Sequence, residues 1–343
     1  MKFKKTKILV AMSGGVDSAV TAALLLKKNY DCVGATMLLN DGEKSQKDAL
    51  DAKDVCEKLG INWNLLDFRR DFEKNVIETF CESYNSGETP NPCITCNRLI
   101  KFGKLRQIAD SLGIKYIATG HYARIERSDY GFKLLRGIDP KKDQSYMLCR
   151  LTQEDLSATL FPLGAYLKKE IRAIAASLNL ALAEKPDSQD ICFTDSPALF
   201  IEKKTGTKQG VFLDINGNII GRHNGHQRFT IGQRKGIGLA LGKPVYVLDK
   251  DARQNAVIIG GAKYLKVNKA KTRDFNWIIP KPKAPIKALV KLRYNQTPQS
   301  ALIEPHENGI IASFDEPIEA PAPGQTLVAY NSDEVLGGGT LKK

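Results

Sequence analysis

The chain begins with an abrupt change of pattern. A short apolar run, Ile8-Leu9-Val10-Ala11-Met12, meets Ser13-Gly14-Gly15-Val16-Asp17-Ser18, and Ala19 to Leu26 leave it as a nearly all-apolar helix. Strand, glycine turn and helix set the texture of the first half. Asp31 to Leu38 reads as a second, buried parallel strand. Lys47 to Leu59 has helical spacing and stops at Gly60. Ile61 to Leu66 predicts a strand, Asp71 to Tyr84 and Arg98 to Leu112 predict helices, and Ile114 to Thr119 predicts a strand ending at Gly120-His121. Repeated βα units imply an α/β fold with a doubly wound parallel sheet, whose ligands bind at the carboxyl ends of the strands. The Ser13–Ser18 loop, Met37 and Gly120-His121 lie at such ends and are expected to converge on one nucleotide crevice. Alternation around Gly131 predicts a hairpin between Tyr122 and Arg136, and helices follow around Gln153–Thr159 and Leu167–Leu178. The polar loop Glu184 to Asp190 presents Cys192 just before Phe193.

Beyond Thr205 glycines crowd between Gly206 and Gly242, helical periodicity disappears, and short β-branched runs alternate with turns. Further strands are expected in 286–303 and 310–330, after a proline-rich linker at 280–285. The expected organisation is a catalytic domain over 1–203, a small basic β-rich domain over 204–270, and a β-barrel-like domain over 271–343. Charge supports the division. Of the net +13, twelve Lys/Arg against three Asp/Glu in 204–270 account for +9. So local an excess favours a docking surface for an anionic partner, nucleic acid or a membrane surface. No targeting segment or membrane-spanning run appears, and seven scattered cysteines do not make a secreted disulfide framework, so a reducing cytoplasm is expected. Cys32, Cys56, Cys81 and Cys149 lie in apolar or helical surroundings and read as small buried hydrophobes.

Two stretches carry chemistry. In Ser13–Ser18 the glycines let backbone N–H groups turn toward an anion, and Ser18 adds a hydroxyl at the positive end of the helix. The cup suits phosphate but is not a Walker A loop. It resembles the PP-loop of ATP pyrophosphatases, which split ATP between the α and β phosphates and adenylate a substrate. The second stretch is Thr89-Pro90-Asn91-Pro92-Cys93-Ile94-Thr95-Cys96-Asn97, a loop stiffened by two prolines. Cys96 stands just before a helix expected from Asn97, where free N–H groups lower a thiol's pKa. Taken alone, Cys93-x-x-Cys96 is half a zinc site, a redox pair or chance.

SGGVDS, TPNPCITCN, the ATGHYAR run, KDQSYML, DSQDICF, the FTIGQRKGIG run and PGQ occur in one order over nearly the whole chain. Together they resemble the bacterial tRNA-specific 2-thiouridylases (MnmA family), whose catalytic domain is PP-loop and HUP-like. The resemblance implies ATP-dependent 2-thiolation of the wobble uridine in tRNAs of the Lys, Glu and Gln type. ATP would adenylate the C2 oxygen with Mg²⁺ neutralising pyrophosphate, and a persulfide sulfur from a cysteine desulfurase or its relay proteins would displace AMP. By the same resemblance Ala11, Met12, Ser13, Gly14, Gly15, Val16, Asp17, Ser18, Met37 and Gly120 would hold ATP. Asn91, Pro92 and Cys93 would touch the target base, with Cys96 as nucleophile and Cys192 as persulfide carrier. A Cys96–Cys192 disulfide would follow transfer. His121, Lys142, Asp143, Gln144, Arg293, Tyr294 and Gln325 match tRNA-contacting positions.

One departure stands out: many family members have Asp where this chain has Cys93. Either another group, or Cys93 as thiolate, handles the proton, or Cys93, Cys96 and Cys192 ligate a [4Fe–4S] cluster. Two other readings compete: an amidating PP-loop ATP pyrophosphatase, which would need neither Cys96 nor Cys192, and an RNA-binding scaffold with a vestigial nucleotide fold.

Overall fold

The computed structural model describes residues 5–180, 185 and 191–343. Of the polar loop expected at Glu184–Asp190, only Lys185 falls among them.

The first half builds one parallel sheet. Its strands are β1 (Lys7–Ala11), β2 (Asp31–Leu38), β3 (Asn62–Asp67), β4 (Tyr116–Ala118) and β7 (Thr159–Leu160), in the order β3-β2-β1-β4-β7. The period of two in β1 divides the core. Ile8, Val10 and Met12 join the cluster under α1 (Val16–Lys27) and α8 (Lys168–Ser177), while Leu9 and Ala11 face Phe72, Phe80 and Ile100 on the other side. Strand order reverses between β1 and β4, so the loops leaving these two strands flank the crevice where such sheets bind ligands.

Two helices differ from the sequence expectation. The one expected over Asp71–Tyr84 comprises α3 (Arg69–Phe72), a π-helical stretch Glu73–Glu78, and α4 (Thr79–Asn85). The one expected from Asn97 already starts at Pro92. There α5 (Pro92–Cys96) continues through a π-helical stretch, Asn97–Lys104, into α6 (Leu105–Ser111). Pro92 suits a first helical position because its missing N–H would have no partner there, and the Asn91 carboxamide caps the turn by accepting from Cys93 N at 3.1 Å.

The hairpin β5 (Ala123–Ser128) and β6 (Gly131–Arg136) leaves the parallel sheet and joins the C-terminal one, where Leu135 pairs with Glu334. The central sheet holds β8 (Gly210–Leu213), β9 (Ile219–His223), β10 (Tyr246–Asp251) and β11 (Ala256–Gly260) around Phe212, Phe229, Val247 and Ile259. It is reached through α7 (Gln153–Ser157), α8 and α9 (Pro197–Thr205).

The last six strands are β12 (Lys266–Trp277), β13 (Ile286–Lys291), β14 (Gln299–His306), β15 (Gly309–Glu319), β16 (Thr326–Asn331) and β17 (Glu334–Lys342). They form an antiparallel barrel, closed by pairing β12 with both β15 and β17. β12 straddles the expected boundary at 270. Among the described residues no helix is long and apolar enough to cross a membrane.

Candidate active site

After β1 the chain turns at Gly14, whose φ of +68° is ready only for glycine, and a Cβ there would run into the Asp48 carbonyl. Ser18 Oγ closes the turn, accepting from Ser13 N at 3.1 Å and donating to Gly15 O at 3.0 Å. Gly15 caps α1 without a side-chain hydrogen bond, so the first-turn N–H groups keep their need for an acceptor. Gly120 seats against the same turn, since a Cβ on it would stand 3.0 Å from Asp17. Ala11, Met12 and Val16 are buried beneath the loop, and Met37 is half-buried at the end of β2.

Sequence reasoning missed the side chains that brace this loop. Asp17 accepts from Tyr122 Oη at 2.7 Å and from Lys168 Nζ at 2.7 and 2.9 Å, so its carboxylate anchors α8. Lys185 Nζ reaches Gly14 O (2.8 Å), Asp48 Oδ1 (2.7 Å) and Asp51 Oδ2 (2.6 Å). Against the cost of burial, the two carboxylates hold this ammonium above its usual pKa. Lys185 is thus held on the phosphate loop. No sequence signal marked these lysines, because a lysine near a helix start or in a polar loop ordinarily faces water.

Cys192 lies on the surface, while the next residue is anchored. The Phe193 ring packs against Phe72 (5.8 Å), Phe80 (5.3 Å) and Phe200 (5.1 Å). Cys93, Cys96 and Cys192 lie near enough to one another that ionising one would oppose ionising the next. All seven cysteines are free, and Cys32, Cys56, Cys81 and Cys149 are buried.

The lowered thiol pKa expected at Cys96 is not found. Cys96 is not at a helix start, because α5 runs unbroken into the π-helical stretch and its N–H groups are used. The side chain is buried, and burial pushes the thiol up to about 12. Cys93, in the first turn, and Cys192 are also raised, each mainly by desolvation. Among the described residues no group of three or more His, Cys, Asp or Glu side chains stands so as to hold a metal.

The other anticipated positions are held by contacts of their own. Asn91 Nδ2 reaches Met147 Sδ at 3.5 Å, and Asn97 Nδ2 donates to Met147 O at 3.0 Å; Pro92 is buried. Gln144 Oε1 accepts from Tyr122 N at 3.0 Å, and Asp143 Oδ1 accepts from Gly137 N and Ser145 N. Lys142, half-buried, precedes them. Tyr294 Oη donates to Asp143 O at 3.1 Å, and the Cys93 charge acts on this phenol. Arg293 crosses to the central domain, donating to Ile231 O at 3.3 Å. Gln325 Nε2 donates to Thr89 O at 2.6 Å, and Thr89 N donates to Pro323 O at 2.8 Å, so the barrel grips the base of the proline loop. A bidentate Arg273–Glu88 pair, at 2.7 and 2.8 Å, adds to that grip. His121 is buried between Phe102 and Phe161, with Nδ1 2.7 Å from Thr119 Oγ1; burial and then the Lys101 charge keep it neutral.

A glycine-turned phosphate loop at the switch of a parallel sheet defines an ATP-binding α/β enzyme of the HUP class carrying two appended β domains. Family models for a tRNA methyl transferase HUP domain (6–196), a tRNA methyl transferase PRC-barrel domain (198–261) and an aminomethyltransferase beta-barrel domain (267–341) match in that order. The chain is 47% identical to a tRNA-specific 2-thiouridylase MnmA of Heliobacterium modesticaldum, covering 98% of this chain and 92% of that one. It is 46% identical to the same enzyme of Carboxydothermus hydrogenoformans, covering 99% and 98%. The chain belongs to the tRNA-specific 2-thiouridylase family, sulfurtransferases that act on tRNA. Among solved structures, a U34-tRNA thiolase NcsA from Methanococcus maripaludis with its [4Fe–4S] cluster is similar at TM-score 0.38 and 20% identity, over 58% of this chain and 66% of that one. So slight a likeness carries no cluster chemistry across.

Proposed function

We propose that this enzyme thiolates C2 of the wobble uridine by adenylation followed by persulfide transfer. The supporting observation is that Cys192 lies near enough to Cys93 and Cys96 for their ionisation to be coupled.

A uridine carbonyl is a poor electrophile whose oxygen leaves badly. The uridine C2 oxygen attacks the α-phosphorus of ATP and pyrophosphate departs, its charge met by the uncapped start of α1. Asp17 is engaged by Lys168 and Tyr122, so Mg²⁺ would be held chiefly by the phosphate oxygens it neutralises, rather than by this carboxylate. The terminal sulfur of a Cys192 persulfide then attacks C2 and expels AMP. Cys96 attacks the Cys192 sulfur, the S–S bond breaks, and the thiocarbonyl remains on the base. The resulting Cys96–Cys192 disulfide is reset by two electrons from an external thiol reductant.

The base cannot react while stacked, so it is flipped toward Asn91, Pro92 and Cys93. Lys142, Asp143, Gln144, Arg293, Tyr294 and Gln325 then exchange present partners for tRNA, with His121 behind them. The basic central domain holds phosphates, a cysteine desulfurase or relay protein supplies sulfur, and the setting is cytoplasmic.

The decisive test is nucleoside mass spectrometry of tRNA incubated with the protein, ATP, Mg²⁺, a cysteine desulfurase with cysteine as the source of persulfide sulfur, and a thiol reductant. Expected products are 2-thiouridine at the wobble position with AMP and pyrophosphate; AMP release without 2-thiouridine overturns the reading. The alternative [4Fe–4S] route would require the three thiols to close in around a cluster, and we take no step through it. Anaerobically purified protein carrying stoichiometric iron that is lost in Cys93→Ala would restore it.

A further inference from the structure

The outward face of barrel strand β13 carries a cation enclosed by aromatic rings. Ala288 and Val290 point into the barrel core, so Lys287, Leu289 and Lys291 point away from it. Lys287 and Leu289 are exposed, whereas Lys291 is half-buried where the barrel meets the catalytic domain. Its Nζ lies 5.7 Å from the centre of the Tyr146 ring and 5.6 Å from that of Tyr294. The two rings stand 5.7 Å apart, and each is pinned by its own hydroxyl. Tyr146 Oη donates to Thr326 O at 2.6 Å, and Tyr294 Oη to Asp143 O at 3.1 Å.

Two ring faces fix the place of the ammonium without cancelling its charge. Among the described residues no carboxylate forms an ion pair with Lys291. The Asp143 charge reaches it, but Asp143 Oδ1 accepts from Gly137 N and Ser145 N, and Oδ2 accepts from Ser145 Oγ at 3.0 Å. Arg136, whose guanidinium lies 4.2 Å from the centre of the Tyr330 ring, adds a second positive charge on this side. Two cations thus face one carboxylate that is already engaged, which leaves room for an anion from outside.

The residue after Tyr146 sets where that anion would stand. Met147 Sδ is touched by Asn91 Nδ2 at 3.5 Å, and Met147 O accepts from Asn97 Nδ2 at 3.0 Å. Lys291 therefore lies behind the tyrosine that adjoins the loop meant to receive the flipped base. A nucleotide turned out of its stack carries its flanking phosphates with it. A compact ammonium suits a phosphate oxygen and positions the strand without reading its sequence.

We propose that Lys291, held between Tyr146 and Tyr294, binds a backbone phosphate next to the wobble uridine and so anchors the flipped nucleotide. The inference rests on the RNA-binding part of the function proposed above, and its test needs neither ATP nor a sulfur donor. The test is fluorescence anisotropy of the protein with a labelled anticodon stem-loop RNA, from about 0.05 to about 0.3 M KCl. Lys291→Gln should lower affinity about five- to twentyfold at the lower salt. It should also reduce the slope of log affinity against log salt by about 0.7–0.9, the loss of one phosphate contact. Lys291→Arg should keep that slope to within about 0.3 of the wild type, because the charge is retained.

Replacing the phosphate on either side of the wobble uridine by an uncharged methylphosphonate, one linkage at a time, locates the contact. At one linkage the wild type should lose about as much affinity as Lys291→Gln costs, while Lys291→Gln should lose less than about twofold more. Weaker binding with an unchanged salt slope marks a lysine that only supports the fold, and overturns the proposal. Losses that multiply at both linkages overturn it as well. If the wild type shows the coupling yet forms no 2-thiouridine, the phosphate contact stands and the proposed reaction falls.

Discussion

At Cys96 two effects oppose each other: burial favours the neutral thiol, and Lys101 favours the anion, with burial the larger. Buried and protonated, the Cys96 thiol is shielded from stray oxidation. Cys96→Ser and Cys192→Ser are each expected to abolish 2-thiouridine formation while tRNA binding, read by filter retention, stays within about twofold. Thiolation at half the normal rate by either variant would remove the mechanism. Asp17→Asn should remove the carboxylate charge that meets the Lys168 ammonium and lower stability by roughly 1–3 kcal/mol. Calorimetry would read this as a fall in Tm, with AMP release lost at temperatures where the variant is still folded. The residues of this scale were unevenly legible. Gly14, Cys93 and Cys96 stand out because a glycine turn and a pair of thiols after two prolines are rare patterns. Lys168 and Lys185 do not, because a lysine's side chain shows its partner only after folding.

The helical run from Pro92 to Ser111 shows why element boundaries were harder to read than element identities. Apolar spacing from Arg98 onward announced a helix, but the capping by Asn91 and the proline at the first position were read as a stiff loop. Cys96 was therefore assigned to a helix start that lies a turn earlier. The change from 3.6 to wider periodicity within Asn97–Lys104 leaves no mark in a sequence window, because it depends on packing against neighbouring elements. A related dependence governs the proline loop, which is fixed from outside by the turn at Gly324. A Cβ on Gly324, whose φ is +87°, would stand 2.9 Å from Thr89 N. Gly324→Ala should push the barrel off Thr89 and break the Gln325 contact. The expected result is a fall of at least about tenfold in the thiolation rate, with ATP affinity by calorimetry within about twofold. If the rate is unaltered, the grip does not position the loop.

Across the whole molecule, buried thiols set the alkaline limit of stability. Burial raises Cys32 and Cys56 from 9.0 to about 11, and Cys96 and Cys149 to about 12. The unfolded chain releases these protons near pH 9 while the folded one retains them. Their contribution is therefore complete below pH 9 and is lost as pH rises through 11 to 12. Buried Lys250, which donates to Phe229 O at 2.9 Å, works the other way: its ammonium is pushed down to about 8 by burial, so its penalty fades as pH rises above 8. Four thiols outweigh one amine. Urea midpoints should change little from pH 7.5 to 9 and drop by pH 10.5, with a shallower drop in Cys32→Ala/Cys56→Ala. A midpoint that climbs through pH 10.5 would contradict this account. At this scale the sequence was most legible. Alternating βα texture and the change to glycine-rich short strands announce three bodies, whereas the pairing of β6 with β17, almost two hundred residues away, has no local signature.

That pairing has a consequence for biosynthesis. The hairpin emerges from the ribosome early, and the strand it docks on, β17, follows almost two hundred residues later. During translation the edge of β6 waits without its neighbour, and the barrel that grips the proline loop cannot close until β17 has cleared the exit tunnel. A nascent chain therefore carries Cys93, Cys96 and Cys192 before it owns the barrel that holds the base of the proline loop.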